Sequence, residues 1–217
     1  MTSATSSIEQ TMGQLQSLDI HVALERLASD PHMGPLVGAY GQIHHPATRD
    51  PFRDLARAIV SQQLSNKVAT AIWARLESSF AGQKICPHQM AHKSHQDLKS
   101  LGLSNAKASY VQDLATLFRE GALSNESLLN ISDEDVCKLL QGARGIGPWT
   151  IDMFLIFGLN RPDVLPTGDL GVKKAMAKLF GLSGLPHSSQ MVELAEPWRP
   201  WRTVASWYLW RSLEGPA

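Results

Sequence analysis

A glycine-rich turn, Gly-Ala-Arg-Gly-Ile-Gly over residues 142–147, is the first feature that could bind a ligand. Glycine is typical where the backbone adopts positive φ or where another group approaches it closely. A helix is predicted from Pro148, and the first N–H groups of a helix lack intrahelical partners while its dipole favours an anion. The turn could therefore hold a phosphate on its amides, with Arg144, Lys173 and Lys174 adding charge. The alternative is a turn whose glycines serve packing alone.

A single carboxylate, Asp169, is the candidate for chemistry. It stands directly before a predicted helix that begins at Leu170. A carboxylate aimed at a reacting atom stabilises developing positive charge and can help to activate a water molecule. The alternative is that Asp169 caps the helix, which is the usual role of an aspartate in this position. Thr167 offers a second capping side chain, which would leave Asp169 for chemistry.

Helical periodicity extends over almost the whole chain. Apolar residues recur at spacings of three and four, for example at Leu55 and Ile59 and again at Val172, Met176 and Leu179. There is no convincing alternating strand pattern. Pro51 and Pro148 are predicted to open helices, Ser132 is a candidate N-cap, and glycines mark helix ends. With the usual helix length of about 11 residues, the pattern predicts an all-α protein of about nine to eleven helices.

Composition restricts the class of protein. Basic and acidic residues number 20 each, so no strong global field attracts nucleic acid and a binding face must be local. The stretch 141–178 fits this requirement, with five basic residues against three acidic ones. Cys86 and Cys137 are too few to ligate an iron–sulfur cluster and favour a reduced compartment. No apolar run approaches the ~20 residues of a membrane span, and the N-terminus lacks the features of a signal peptide.

Three blocks of sequence together resemble the helix–hairpin–helix DNA glycosylase superfamily. They are Leu140-Gln-Gly-Ala-Arg-Gly-Ile-Gly-Pro-Trp-Thr150, Leu165-Pro-Thr-Gly-Asp-Leu-Gly171, and a tryptophan-rich stretch with Trp198-Arg-Pro-Trp-Arg202 and Trp207-Tyr-Leu-Trp210. The blocks occur in the family's order between about residues 50 and 211, and their combination is more specific than any single block. The chain is most similar to the branch that removes 3-methyladenine and related alkylated bases, in a compact form without the N-terminal β lobe.

The resemblance implies an all-α fold in which two helical lobes flank a DNA-binding cleft. One lobe is expected to combine residues 15–50 and 165–217. The other is expected to span residues 51–164 and to carry the helix–hairpin–helix motif over about 133–159. Residues 1–14 are expected to form a flexible tail. We expect an intracellular monomer with no membrane partner, in the cytoplasm or nucleoid of a bacterium or the nucleus of a eukaryote.

The resemblance also implies an activity, that of a DNA-3-methyladenine glycosylase II-type hydrolase. Such an enzyme cleaves the N-glycosidic bond of alkylated purines in duplex DNA during base excision repair, and the catalytic carboxylate would be Asp169. Bifunctional members carry a nucleophilic lysine just after the hairpin, where this chain has Trp149. We therefore expect a monofunctional enzyme that leaves an abasic site. The alternatives are a non-catalytic, lesion-sensing DNA-binding protein and a glycosylase for deaminated or oxidised bases.

The base pocket implied by the resemblance contains Trp149, Met153 and Trp210. An indole face attracts a cationic ring, and a flipped base has to be held by stacking. This arrangement would favour alkylated bases over normal ones. Met153 occupies a position that often holds an aromatic residue in larger relatives, which leaves the lesion range open. Core packing is the expected role of most other tryptophans between residues 198 and 210.

A loop-tip leucine, Leu64, is the candidate wedge. It precedes Ser65, a candidate N-cap of the next helix, and minor-groove proteins push such apolar side chains between base steps. The resemblance places the gap-filling wedge at Leu64, with Ser65 beside it as a DNA-binding residue, and a second DNA contact near Ser104. The alternative is that Leu64 packs in the core at helical spacing with Val68.

The grip on the DNA backbone is expected at Gly145 and Gly147, with Lys173 adding positive charge. The resemblance further implies a structural monovalent cation, sodium or potassium, held by hairpin carbonyls. The candidate ligands are the carbonyls of Gln141, Ala143 and Ile146. No cofactor is expected for the chemistry itself, and the expected partner is double-stranded DNA that contains damaged bases.

Overall fold

The computed structural model describes residues 20–41 and 50–214, and all regular structure within these ranges is helical, as predicted. The α-helices are α1 (20–28), α2 (Met33–Tyr40), α3 (Pro51–Ser61), α4 (Asn66–Ser78), α5 (Pro87–His92), α6 (His95–Ser100), α7 (Asn105–Arg119), α8 (Asn125–Asn130), α9 (Asp133–Gln141), α10 (Pro148–Met153), α11 (Leu170–Leu179), α12 (Ser188–Leu194) and α13 (Arg202–Glu214). A π-helical turn, Phe154–Gly158, continues α10, and a 3₁₀ turn, Glu196–Trp198, precedes α13. The predicted flexible tail, 1–14, lies outside the described residues.

The described residues hold more helices than the nine to eleven predicted, because four of them, α5, α6, α8 and α10, have only six residues each. The predicted helix starts are confirmed. Ser65 and Ser132 cap α4 and α9, each accepting a backbone N–H three residues later. Pro51 and Pro148 stand in first turns, where a missing N–H costs nothing. No helix in the described ranges combines the length and apolarity that crossing a membrane requires.

The chain divides into two compact units by contact density. The first unit contains the described residues up to 41 and from Pro162 onward, and the second contains residues 50–161. The first unit is built from α1, α2 and α11 to α13, with α13 packed against both α11 and α2. Its core surrounds Trp198 and Tyr208, which are almost fully buried. The Tyr208 hydroxyl donates to the carbonyl of Gly41, 2.6 Å away, and burial raises the pKa of Tyr208.

Helix α3 is central in the second unit, where it contacts α4, α7, α8, α10 and the π-helical turn. One face of α3 is entirely buried, with Phe52, Leu55, Ala56, Ile59 and Val60. The Phe52 ring meets the edge of the Phe118 ring at 5.2 Å between centroids. Because α3 is held on several sides, its C-terminal end is a fixed platform for the loop that follows.

A carboxylate–arginine network in the first unit ties the segment before Asp169 to the start of α13. Asp163 accepts from Arg202 Nε at 2.6 Å, from Arg202 Nη2 at 3.0 Å and from Arg199 Nη1 at 2.7 Å. The Thr203 N–H donates to the carbonyl of Pro162, and the Thr203 hydroxyl accepts from the N–H of Val164, both at 3.0 Å. The network therefore joins the segment that leads to Asp169 to the helix that carries Trp210.

We expect Asp163→Ala to lower the free energy of unfolding by about 3 kcal/mol, because Arg202 is buried and would lose its charged partner. Urea unfolding measures the change. The control is Glu214→Ala, which removes the exposed ion pair with Arg211 and should cost less than about 1 kcal/mol. Equal losses in the two variants would show that the Asp163 network has no special structural role.

Candidate active site and nucleic-acid interface

Asp169 is the N-cap of α11, and its side chain accepts two N–H donors on one oxygen. The backbone N–H of Val172 and the indole Nε1–H of Trp210 both donate to Oδ1, each at 2.9 Å. The prediction that Thr167 caps this helix is wrong, because the Asp169 carboxylate reaches the third amide of α11 itself. Capping and chemistry are therefore not alternatives here: the cap bond and the indole bond together orient a half-buried carboxylate.

The space beside this carboxylate is tight at Gly171. A Cβ at Gly171 would lie 3.0 Å from Asp169 Oδ1 and 3.2 Å from Trp210 Cδ1. The Trp210 ring also meets Trp207 in an edge-to-face arrangement, with centroids 6.3 Å apart. Gly171 and Trp207 were not singled out as site residues from sequence. Gly171 does stand within the quoted block 165–171, but only the fold shows what lies over it.

The helix–hairpin–helix motif consists of α9, the turn at 142–147, and α10 with its π-helical extension. Gly145 adopts φ +81°, a left-handed conformation that favours glycine. A side chain at Gly145 would also overlap the ring of Tyr110, whose Cβ lies 2.8 Å from the added atom. Gly147 is the N-cap of α10 and has no side chain to cap it, so it leaves the first amides of the helix to other acceptors.

Arg144, the basic residue within this turn, forms an ion pair with Asp113, with Nη2 2.6 Å from Oδ2. Arg161, a second basic residue of the stretch 141–178, pairs with Asp133 at 3.1 Å. The positive charge predicted from composition is therefore partly neutralised inside the second unit. Lys173 lies on α11 in the first unit and is half-buried.

Three of the predicted DNA-binding residues, Ser104, Gly145 and Gly147, line one open pocket of about 520 Å³ in the second unit. Ser104 is the N-cap of α7 and accepts from the N–H of Lys107 at 3.2 Å. The same pocket is lined by Gln62 and Lys107, which the sequence analysis did not select. Gln62 stands beside the predicted wedge, but no local pattern indicates that its side chain reaches the hairpin.

Leu64 lies in the loop between α3 and α4 with 36% of its surface exposed, and Val68 is 44% exposed. The interpretation that Leu64 packs in the core with Val68 is therefore wrong. Ser65 follows as the N-cap of α4. Gln63, directly before Leu64, adopts φ +54°, which is uncommon for a residue other than glycine.

The predicted pocket residues of the second unit lie on α10. Trp149 is 39% exposed, whereas Met153, one helical turn later, is 9% exposed. In the first unit Trp210 is half-buried, and Trp198 is a core residue, as expected for most of the tryptophans in that stretch.

Comparison with known proteins identifies the family. A model described as "HhH-GPD superfamily base excision DNA repair protein" matches residues 56–200. The chain belongs to this family. The resemblance to helix–hairpin–helix DNA glycosylases is thereby confirmed, and so is the predicted motif. The matched region includes the hairpin, Asp169 and the loop that carries Leu64.

Relatives within the superfamily are named as 3-methyladenine glycosylases. DNA-3-methyladenine glycosylase 1 of Schizosaccharomyces pombe is 34% identical over 179 residues, which are 82% of this chain and 78% of that protein. YfjP of Bacillus subtilis, provisionally named a DNA-3-methyladenine glycosylase, is 37% identical over 166 residues, which are 74% of this chain but only 58% of that protein.

A solved HhH-GPD structure has the same fold. It is the S. pombe 3-methyladenine DNA glycosylase in complex with abasic DNA, with 31% identity and a TM-score of 0.81. The match covers 89% of this chain and 97% of that chain.

The hairpin carbonyls have the donor chemistry of a site for a hard cation. Gln141 ends α9, where the helix dipole is negative. The carbonyl of Ala143 accepts from the N–H of Ile146 at 3.2 Å and keeps a second lone pair. The described residues contain no group of three or more His, Cys, Asp or Glu side chains that could hold a metal ion.

We expect Gly145→Ala to weaken binding to duplex DNA with an abasic site by at least about tenfold, because the methyl group needs both a strained φ and the space of Tyr110. The matched control is Gly142→Ala in the same turn, where an added Cβ meets nothing within 4 Å and φ is not positive. Fluorescence anisotropy with labelled duplex measures both. Similar affinities for the two variants would contradict the proposed role of the turn geometry.

Proposed function

We propose that this HhH-GPD protein is a monofunctional DNA glycosylase that hydrolyses the N-glycosidic bond of alkylated purines in duplex DNA, as the first step of base excision repair. The observation that carries the proposal is the Asp169 carboxylate held at a helix N-terminus by the Trp210 indole and the Val172 amide. The names of its relatives, DNA-3-methyladenine glycosylases, support the same substrate class.

The reaction needs a stabilised positive charge rather than a strong acid. When the C1′–N bond breaks, its electron pair leaves with the base and neutralises the charge that alkylation placed on the purine. The sugar becomes oxocarbenium-like, and a carboxylate aimed at it lowers the energy of that state. A water oxygen then bonds to C1′, and the water proton passes to the carboxylate or to solvent. Asp169 supplies this carboxylate, so one acid suffices where ordinary glycosidases use two.

The product is proposed to be an abasic site in an intact strand. A lyase needs an amine nucleophile to form a Schiff base with the sugar, and the position after the hairpin is Trp149. The lysines nearest to Asp169 in sequence, Lys173 and Lys174, lie one turn into α11. The enzyme would therefore hydrolyse the bond and stop.

Base selection is proposed to rest on the indoles of Trp149 and Trp210, with Met153 beside Trp149 on the same helix. A cationic purine is attracted to an indole face more strongly than a neutral one, and Trp149 has the exposed surface needed to stack on a base. Met153 is adaptable in shape, which is consistent with a broad range of alkylated bases.

The partner is proposed to be duplex DNA that contains a damaged base, bound by a monomer. Leu64 would fill the gap left by the flipped base, the turn amides near Gly145 and Gly147 would hold a phosphate, and Ser104 and Lys173 would add contacts. A monovalent cation on the carbonyls of Gln141, Ala143 and Ile146 would strengthen the phosphate grip. The enzyme would act in the compartment that holds the genome, the nucleoid or the nucleus.

The proposal predicts base release from a panel of single-lesion duplexes containing 3-methyladenine, 7-methylguanine, ethenoadenine, hypoxanthine or 8-oxoguanine. Alkylated purines should be released, with strand breaks only after alkali treatment. Asp169→Asn should lower the single-turnover rate by at least about a hundredfold, because the amide carries no charge, while affinity for abasic DNA changes little. Binding without release would identify a lesion sensor, and release of 8-oxoguanine or hypoxanthine alone would identify a different glycosylase.

Trp210→Phe tests the hydrogen bond to the carboxylate. The phenyl ring still stacks but has no N–H, and a hydrogen bond to a charged group contributes about 1.5–3 kcal/mol, so we expect the single-turnover rate to fall about tenfold to a hundredfold. Trp73→Phe is the matched control, because the buried Trp73 indole N–H has no hydrogen-bond partner among the described residues. If, in an Asp169→Asn background, Trp210→Phe slows base release relative to Asp169→Asn alone by the same factor as it slows the wild type, the bond to the charged carboxylate is not the cause of the effect.

A further inference from the structure

We propose that Gln62 and Lys107 form a hydrogen-bonded bracket that fixes the wedge loop, residues 62–65, against the hairpin. The two are positioning residues: they act through Leu64 and the turn at 142–147 rather than on the base. The inference rests on the proposed function, because the wedge role of Leu64 belongs to it.

The Gln62 side chain connects the end of α3 to the hairpin turn and to α10, the helix that follows the turn. Its Nε2 donates to the carbonyl of Gly145 at 2.7 Å and to the hydroxyl of Thr150 at 3.0 Å. Gly145 lies in the turn itself, and Thr150 lies in the first turn of α10, only 3% exposed. One amide group therefore holds the turn and the helix that follows it in a single arrangement.

Lys107 holds the backbone from which that amide projects. Its Nζ donates to the carbonyl of Val60 at 2.8 Å and to the carbonyl of Gln62 at 2.6 Å. These carbonyls belong to the C-terminal end of α3, where the last carbonyls lack intrahelical partners and the dipole favours a cation. Burial lowers the pKa of the Lys107 ammonium, and the two carbonyl contacts offset part of that cost of desolvation.

The bracket ends where the wedge begins. Gln62 is held through its side chain and its carbonyl, Gln63 turns the chain through its left-handed φ, and Leu64 follows with Ser65 as the cap of α4. Ordering a flexible backbone segment costs conformational entropy. A wedge loop that is already ordered avoids this cost when Leu64 enters the duplex, which is the benefit of preorganisation.

Lys107 has a competing role that the experiment must separate. It lines the same pocket as Ser104, Gly145 and Gly147, so a direct phosphate contact would also weaken binding when the lysine is lost. A lysine that contacts phosphate releases a counterion, and its removal lowers the slope of log Kd against log salt by about one. A positioning lysine leaves that slope unchanged.

The first experiment is Lys107→Met in the full chain, with affinity for an abasic-site duplex measured from low to high sodium chloride. We expect affinity to fall about tenfold with the salt slope unchanged, and Lys107→Arg to restore part of it because a guanidinium can still donate to carbonyls. Lys173→Met should lower the slope by about one, and the exposed Lys99→Met should change neither quantity. A slope lowered by about one in Lys107→Met would overturn the positioning role.

The second experiment is Gln62→Glu, which keeps the shape of the side chain but sets a carboxylate against the Gly145 carbonyl. Gln63→Glu is the control for charge alone, since Gln63 is exposed. We expect Gln62→Glu to speed amide hydrogen exchange at residues 62–65 and 145–147 and to slow base release about tenfold or more. In a Leu64→Ala background, Gln62→Glu should slow base release by less than about threefold. The bracket would be overturned if Gln62→Glu slowed base release about tenfold in that background as well, or if Gln63→Glu changed amide exchange and base release as much as Gln62→Glu does.

The exchange measurement separates failure of the bracket from failure of the proposed function, because it needs no lesion. If wild type releases no alkylated base but Gln62→Glu still loosens both segments, the proposed function is wrong and the bracket stands. If wild type is active and exchange at both segments is unchanged in Gln62→Glu, the bracket is wrong and the proposed function stands.

Discussion

The hydrogen bond from the Trp210 indole to the Asp169 carboxylate is the interaction on which the candidate site of the first unit depends. The same oxygen accepts the third amide of α11, so the bond that caps this helix also orients the carboxylate. This arrangement constrains its surroundings. Position 171 leaves little space for a side chain, Trp207 packs against the indole, and Asp163 ties the preceding segment to the start of α13. The carboxylate is held by one amide of its own helix and by one indole 41 residues away.

In the second unit, the groups that need partners at the helix ends belong to the backbone. The first amides of a helix and the last carbonyls of another are unsatisfied by geometry alone. At α10 the capping position is a glycine without a side chain, so the first amides of the helix stay open to other acceptors. At the end of α3 the carbonyls are instead satisfied by Lys107, and the adjacent Gln62 amide reaches the hairpin. The N-terminal end of α10 therefore remains available to a ligand. The C-terminal end of α3 is instead bonded to Lys107 and holds the loop that follows it.

Sequence reasoning was wrong or incomplete at several points, each for its own physical reason. Thr167 was a reasonable local cap, but Asp169 reaches the amide itself because its own conformation is extended. Arg144 pairs with Asp113 on α7 at 2.6 Å, a partner that no local pattern indicates. The count of helices was too low because six-residue helices carry too little periodicity to separate from turns. Gln62 and Lys107 carried no local pattern and were not selected.

The sequence by itself determined the all-α class, the helix–hairpin–helix motif, the caps at Ser65 and Ser132 and the family. These depend on residues within a few positions of one another, where periodicity, capping and glycine content are informative. Only the tertiary structure decided what holds the site. Trp210 meets Asp169 across 41 residues, and Gln62 meets Gly145 across 83. Such partners are chosen by how the helices pack, because a hydrogen bond of about 3 Å tolerates little displacement and no local pattern encodes it.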